Sequence, residues 1–258
     1  MVDLHCHIIP GIDDGAKDIE ESLKMLRDAE DDGLREVIAT PHFMRSRFEV
    51  PYEQVVEKVK KLNETCQEEN INIKIYPGQE IYLNRNTLDD YEKGVLGGLN
   101  DSNYYLFEMN LMKFDKGIPD ILYELSLHGI TPIIAHPERY RYIIEDIERI
   151  NRLIHEGCLF QLNVGSIDGV FGKKAKKCAE ELLNRGVYDF VGSDGHGIET
   201  RKAILRKTIV EQKKKNMEKM LYLAENNRDF LKGEFKPTKK KLITTKGKLF
   251  SMFYGKGI

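Results

Sequence analysis

Residues 2–7 read VDLHCH and residues 187–196 read VYDFVGSDGH. In each, a short run rich in apolar residues ends on two groups able to bind a metal, spaced two apart: His5 and His7, then Asp194 and His196. Side chains alternate across a strand, so residues i and i+2 face the same way and each pair offers both groups to one side. The arrangement recurs between these ends. His42 follows EVIAT (36–40), Glu80 follows IKIY (73–76), Glu108 closes YYLF (104–107) and His136 follows PIIA (132–135). A sixth apolar run, LFQLN (159–163), delivers neither histidine nor carboxylate.

The stretches between these runs have helical spacing. Ile19, Leu23, Leu26 and Ala29 recur every three or four residues with Gly33 as a stop, and Val55, Val59 and Leu62 follow Pro51. Further helices are expected over 118–127, 143–154, 175–183 and 204–210, with Gly129, Gly157 and Gly186 before the next strands. Strand and helix in alternation predict repeated βα units around a parallel sheet, and single-domain α/β barrels commonly reach this length. In such a barrel the C-terminal strand ends converge on one mouth, where active sites lie. Six of the seven predicted strands thus aim a histidine or carboxylate at that mouth. Five of the seven histidines fall there, while His128 and His155 sit at predicted helix ends, where a cationic ring complements the helix dipole.

Composition bounds the alternatives. With 258 residues, 41% hydrophobic and 32% charged, the chain suits one globular α/β body. No apolar run approaches the roughly 18–20 residues of a membrane-spanning helix, and Asp3, His5 and His7 interrupt any secretory core at the start. Four cysteines without a CxxC pair fit a reducing compartment, so a cytoplasmic address is expected. Residues 201–258 carry 17 Lys or Arg against 5 Asp or Glu, whereas residues 1–200 are acidic, with 23 against 37. The body is assigned to 1–235 and a basic, aromatic tail to 236–258. In that tail Lys239, Lys240 and Lys241 precede a cluster of Leu249, Phe250, Met252, Phe253 and Tyr254. The cluster suits peripheral contact with an anionic membrane or a membrane-bound partner.

Mixed imidazole and carboxylate donors suit Zn, Mn or Fe, and the lack of thiolate argues against a closed structural zinc. Eight such donors are too many for one ion. Cysteine-based phosphoryl transfer is excluded, because a C-x5-R signature would need arginine where Ile12, Asn72, Val164 and Asn184 stand.

The segments DLHCHIIPGIDDGAKD, TPHF, GQEIYL, IIAHPERY and SDGH, in this order, resemble the polymerase and histidinol phosphatase (PHP) superfamily. They most resemble its bacterial protein-tyrosine phosphatases of capsule and exopolysaccharide synthesis, the CpsB/YwqE type. The likeness runs to about residue 225. It implies an α/β fold, a distorted TIM-like (β/α)7 barrel, and three divalent ions, most often manganese, with iron or zinc possible. The first would take His5, His7, Glu80 and Asp194, with Glu80 bridging to a second held by Glu108 and His136. Asp14, His42 and His196 would hold the third, although Asp13 stands beside Asp14. Six positive charges against four carboxylates leave about +2 for a phosphate dianion. The resemblance gives Arg139 and Arg201 to the phosphate, a role that planar guanidinium forks suit. It implies in-line attack by a metal-bridged hydroxide on phosphotyrosine of a membrane-associated bacterial tyrosine kinase, with no nucleic acid partner. The competing readings are a histidinol-phosphate phosphatase or nuclease of the same superfamily, and a non-catalytic partner of a polysaccharide assembly.

Overall fold

The computed structural model describes residues 1–245. Nine parallel segments form the sheet: β1 (Val2–Cys6), β2 (Glu36–Ala39), β3 (His42–Phe43), β4 (Lys74–Pro77), β5 (Glu80–Tyr82), β6 (Tyr104–Glu108), β7 (Thr131–Ala135), β8 (Leu159–Asn163) and β9 (Phe190–Gly192). They lie in two runs, β1-β2-β4 and β3-β5-β6-β7-β8-β9. The seven expected strands become nine because two of them break. Pro41 lies in the gap between β2 and β3, and Pro77 and Gly78 stand where β4 gives way to β5. Proline has no N–H for the ladder, so pairing stops there and resumes with His42 opposite Glu80.

No ladder joins β9 to β1 among the described residues, but hydrogen bonds span the gap. Above, Asp194 N donates to His5 O and His7 N to Gly195 O, both at 2.8 Å. Below, the buried Asn227 side chain donates to Val2 O and Val191 O and accepts from Val191 N. Asn227 lies on the helix Lys214–Leu231, an 18-residue element that was not among the expected helices. That helix also seats Phe230 against Tyr104 and Phe190 at the lower end of the barrel.

Inside the barrel, Leu4, Ile38, Leu106, Ile133, Leu159 and Phe190 pack together below the mouth. A larger core fills the space between sheet and helices. The last strand begins later than 187–191, because Val187 N is taken by Leu182 O at the end of the helix Gly172–Asn184. Contact with β8 starts at Asp189, whose N donates to Phe160 O. The expected helix over 143–154 is three short pieces, Arg141–Glu145, Ile147–Ile150 and Asn151–His155, with Asp146 in an extended conformation after the first. His128 caps the helix Ile118–Leu127 and His155 ends Asn151–His155, both exposed.

Within the segment assigned to the tail, Lys240 forms a buried ion pair with Asp189 at 2.7 Å. Ile243 is buried, and its backbone N and O both bond the Asn151 side chain at 2.8 Å. The aromatic cluster from Leu249 to Tyr254 lies outside the described residues. No helix among the described residues is long and apolar enough to cross a membrane.

Candidate active site

A register shift in β1 sets the site. From Asp3 to Cys6 this strand advances three residues while β2 advances two, Val37 to Ala39. The extra residue is a bulge, which re-aims the side chains beyond it. Leu4 and His5, adjacent in sequence, therefore both serve the barrel interior: Leu4 packs against the apolar layer, and the His5 ring meets Gln161, Glu80 and Asp194. His5 and His7 bring their Nε2 atoms within 3.1 Å. Gly192 makes room for this, since a Cβ there would lie 2.7 Å from His5 Cβ and 2.9 Å from Gln161 Nε2.

All nine residues expected as ligands gather at this mouth. One group is His5, His7, Glu80 and Asp194, a second is His7, Asp14, His42 and His196, and a third is His42, Glu80 and Glu108. His136 joins the third from the end of β7, with Nε2 2.9 Å from Glu80 Oε1 and 3.7 Å from Glu108 Oε1. Glu80 is the hub, its Oε2 3.1–3.3 Å from nitrogens of His5, His7 and His42.

Asp13 and Asp14, equivalent by sequence, separate in space. Asp13 is turned inward to His7 Nδ1 at 2.7 Å and also accepts from the amides of Gly15 and His42. Asp14 is 43% exposed and stands 3.5 Å from Nε2 of both His42 and His196. Gln161 and Asn163 were missed because LFQLN offers neither imidazole nor carboxylate. Gln161 Oε1 meets His5 Nδ1 at 2.9 Å, and Asn163 Nδ2 donates to Asp194 Oδ2 at 2.7 Å. Two amides in a fully buried strand were the available signal, since buried polar groups need partners.

Arg139 and Arg201 reach the same carboxylate. Arg139 Nη1 donates to Asp194 Oδ2 at 2.7 Å, and Arg201 Nη2 lies 2.6 Å from Asp194 Oδ1. Phe171 lies beneath both guanidinium groups, at 4.3 and 5.7 Å, an aromatic support absent from the sequence reading. His136, Asp194 and Arg201 have φ of 34°, 54° and 51°, the left-handed region that non-glycine residues enter at a cost. Three such residues at one mouth fit a site whose geometry is imposed by the surrounding fold. Arg45, in contrast, is tied to Asp89 and Asp90 and is not free to meet a ligand.

The donor set fits divalent cations. Buried Glu80 Oε2, His42 Nδ1 and His196 Nε2 have no hydrogen-bond partner among the described residues, and such atoms are rare in native interiors unless a ligand uses them. Burial opposes a charge on His7, but Asp13 and Glu80 outweigh it and lift its pKa to about 10. Burial, with Arg139 nearby, drops His136 to about 4, and burial beside His7 drops His196 to about 4. Burial and the charge of Glu80 push Glu108 up to about 8, whereas His5 and His42 hold Glu80 well below its usual range despite its burial. Cations between these carboxylates would relieve the repulsion.

Four imidazoles within 3.3 Å of one buried carboxylate, Glu80, have no use as packing, and they set this chain among the metal-dependent hydrolases built on βα barrels. The chain belongs to the capsular polysaccharide synthesis family CpsB/CapC, whose model matches residues 1–232. It is 34% identical over 231 residues to the tyrosine-protein phosphatase YwqE of Bacillus subtilis, covering 90% of this chain and 91% of that protein. The tyrosine-protein phosphatase CpsB of Streptococcus pneumoniae is 34% identical over 206 residues, 78% of this chain and 85% of the other. A solved structure, from work on YwqE and CpsB as metal-dependent tyrosine phosphatases, matches with a TM-score of 0.87 and 33% identity. It covers 95% of this chain and 100% of that one.

Proposed function

We propose that this chain is a metal-dependent protein-tyrosine phosphatase of capsular or exopolysaccharide synthesis. The observation that carries this reading is the meeting of nine histidine and carboxylate donors with two arginines at one mouth. His5, His7, Glu80 and Asp194 would hold one divalent ion, Glu80, Glu108 and His136 a second, and Asp14, His42 and His196 a third, with manganese favoured over iron or zinc. Bound there, such ions acidify water and neutralise phosphoryl oxygens.

The chain's own residues do the rest. Arg139 and Arg201 present guanidinium N–H groups to the phosphate, and Phe171 limits their freedom to swing away. The mouth opens into a cavity of about 340 Å³ whose walls include Met44, Tyr82, Leu111 and Met112, surfaces suited to a phenyl ring. Tyrosine leaves with a pKa of about 10, so catalysis does not depend on a strong general acid. Family membership and the names of the relatives support the substrate class. A membrane-associated tyrosine kinase is the proposed phosphoprotein, met in the cytoplasm, with the segment after residue 235 as a candidate contact to kinase or membrane.

The test is aryl phosphate hydrolysis after chelation and metal add-back, with metal content measured in the same sample. Activity should vanish with chelator, return with Mn and survive iodoacetamide. All four cysteines are buried, and burial lifts Cys66 to about 11 and Cys178 to about 12. Loss of activity on alkylation of a metal-replete sample rejects the mechanism. Faster turnover of histidinol phosphate than of a phosphotyrosyl peptide rejects the substrate.

A further inference from the structure

The loops that leave β5 and β6 enclose a second cavity, of about 500 Å³. These strands are neighbours, with Tyr82 in register with Glu108, and they carry the site carboxylates Glu80 and Glu108. The cavity therefore starts where the metal-binding mouth ends, and Tyr82, Met109 and Asn110 line both. Its wall is apolar, with Leu83, Met109 and Ile118 buried and Phe114 half-buried. Its edge is basic: Arg85, Lys113 and Lys116 are all exposed there.

These three cations are not neutralised by the acidic residues around them. The acidic pair nearest Arg85 in sequence, Asp89 and Asp90, is taken by Arg45 and Lys93. Asp115, the acidic residue lining the cavity, turns Oδ1 to the amide of Gly117 at 2.9 Å. No ion pair involves Arg85, Lys113 or Lys116 among the described residues. Such a cluster runs against its surroundings, because residues 1–200 carry 37 acidic and only 23 basic side chains. A local positive edge on an acidic body attracts and orients anionic segments.

We propose that this cavity is the docking groove for the peptide bearing the phosphotyrosine, and that it selects acidic residues flanking that tyrosine. The proposal rests on the phosphatase reading above. With the phosphate at the arginines, the ring passes Tyr82 and Met109, and the flanking backbone runs along the loops after β5 and β6. An extended chain covers about 10 Å in three residues, so acidic side chains within three positions of the tyrosine come alongside Arg85, Lys113 and Lys116.

The test measures binding and turnover separately on the metal-loaded full chain. Two peptides carry a non-hydrolysable phosphotyrosine analogue, one with acidic and one with neutral flanks, and binding is followed by fluorescence anisotropy. The wild type should favour the acidic peptide about fivefold at low salt. Combined Arg85→Glu, Lys113→Glu and Lys116→Glu should abolish or invert that preference. Combined Lys24→Glu, Lys60→Glu and Lys61→Glu makes the same change in net charge on the helices Ile19–Asp31 and Tyr52–Glu68, which do not line the cavity, and should keep it. Equal preference in all three proteins, or equal loss in both variants, overturns the groove. Aryl phosphate hydrolysis by the wild type is read in parallel: its absence rejects the phosphatase reading, whereas its presence without an acidic preference rejects the groove alone.

Discussion

Asp13 Oδ2 meets Nδ1 of His7 at 2.7 Å and thereby fixes which face of that imidazole looks into the cluster. With Nδ1 engaged, Nε2 is left for Glu80, Asp194 and His5. A carboxylate behind a metal-binding histidine holds the tautomer and raises the basicity of the ligating nitrogen. If His7 is the ligand proposed above, Asp13 is its positioning residue, while its neighbour Asp14 is the group that faces His42 and His196.

Asp13→Ala should lower metal affinity by roughly 10–100-fold, the usual loss for such a partner. Activity should recover at high metal concentration, because no ligand has been removed. Metal titration followed by elemental analysis checks this, and full metal content at ordinary concentrations would count against the role. Asp14→Ala should instead lower the number of ions bound at saturation.

Arg139→Ala and Arg201→Ala should each leave metal content near normal and reduce kcat/KM by about tenfold or more, which is about 1.4 kcal/mol per tenfold. The double variant should lose less than the product of the single losses. Both guanidinium groups share Asp194 and Phe171, and residues with common partners couple. Wild-type efficiency in both single variants would remove the phosphate assignment.

Gly192→Ala should destabilise the fold by about 1–3 kcal/mol, the range for overpacking. The added Cβ would press on His5 Cβ and Gln161 Nε2, neither of which has free space. Urea denaturation measures the loss, and metal content should fall with it because His5 is the side chain displaced. An unchanged midpoint with full metal content would contradict the close approach.

Lys240→Ala should cost about 3 kcal/mol or more, because it leaves Asp189 buried without its cation. Lys239→Ala, one residue earlier and exposed, should stay within about 0.5 kcal/mol. Thermal melts of the two variants give the comparison. Truncation after Phe235 removes the same cation together with Ile243, so it should lower Tm while sparing the aryl phosphate site, whose proposed residues all precede it. Equal melting of the two lysine variants would show that the ion pair contributes nothing.

Alternation of strand-like and helix-like stretches was enough to predict a parallel βα barrel, because period-2 and period-3.6 patterns are written locally in the chain. The recurrence of His or carboxylate at strand ends was legible for the same reason: a residue that ends a strand in a barrel must stand at the mouth. The last long helix, Lys214–Leu231, escaped that reading. Its buried Met220, Leu223, Ala224 and Phe230 do keep helical spacing, but Asn227, the buried amide that bridges β1 to β9, interrupts the apolar stripe. Gln161, Asn163 and Phe171 escaped because an amide or a phenyl ring has no chemistry of its own until it is set beside an imidazole or a guanidinium.

By itself the sequence determined the alternation of strand and helix and which histidines and carboxylates stand together at one end of the sheet. The tertiary structure decided which of two adjacent aspartates faces the cluster and that one carboxylate, Asp194, gathers both arginines. It also decided that His5 turns inward beside Leu4. That last point depends on register: strict alternation would send neighbours to opposite faces, and only pairing with β2 reveals the extra residue between Asp3 and Cys6 that brings both inside. Register is a property of two strands held together, and a single strand read alone does not contain it.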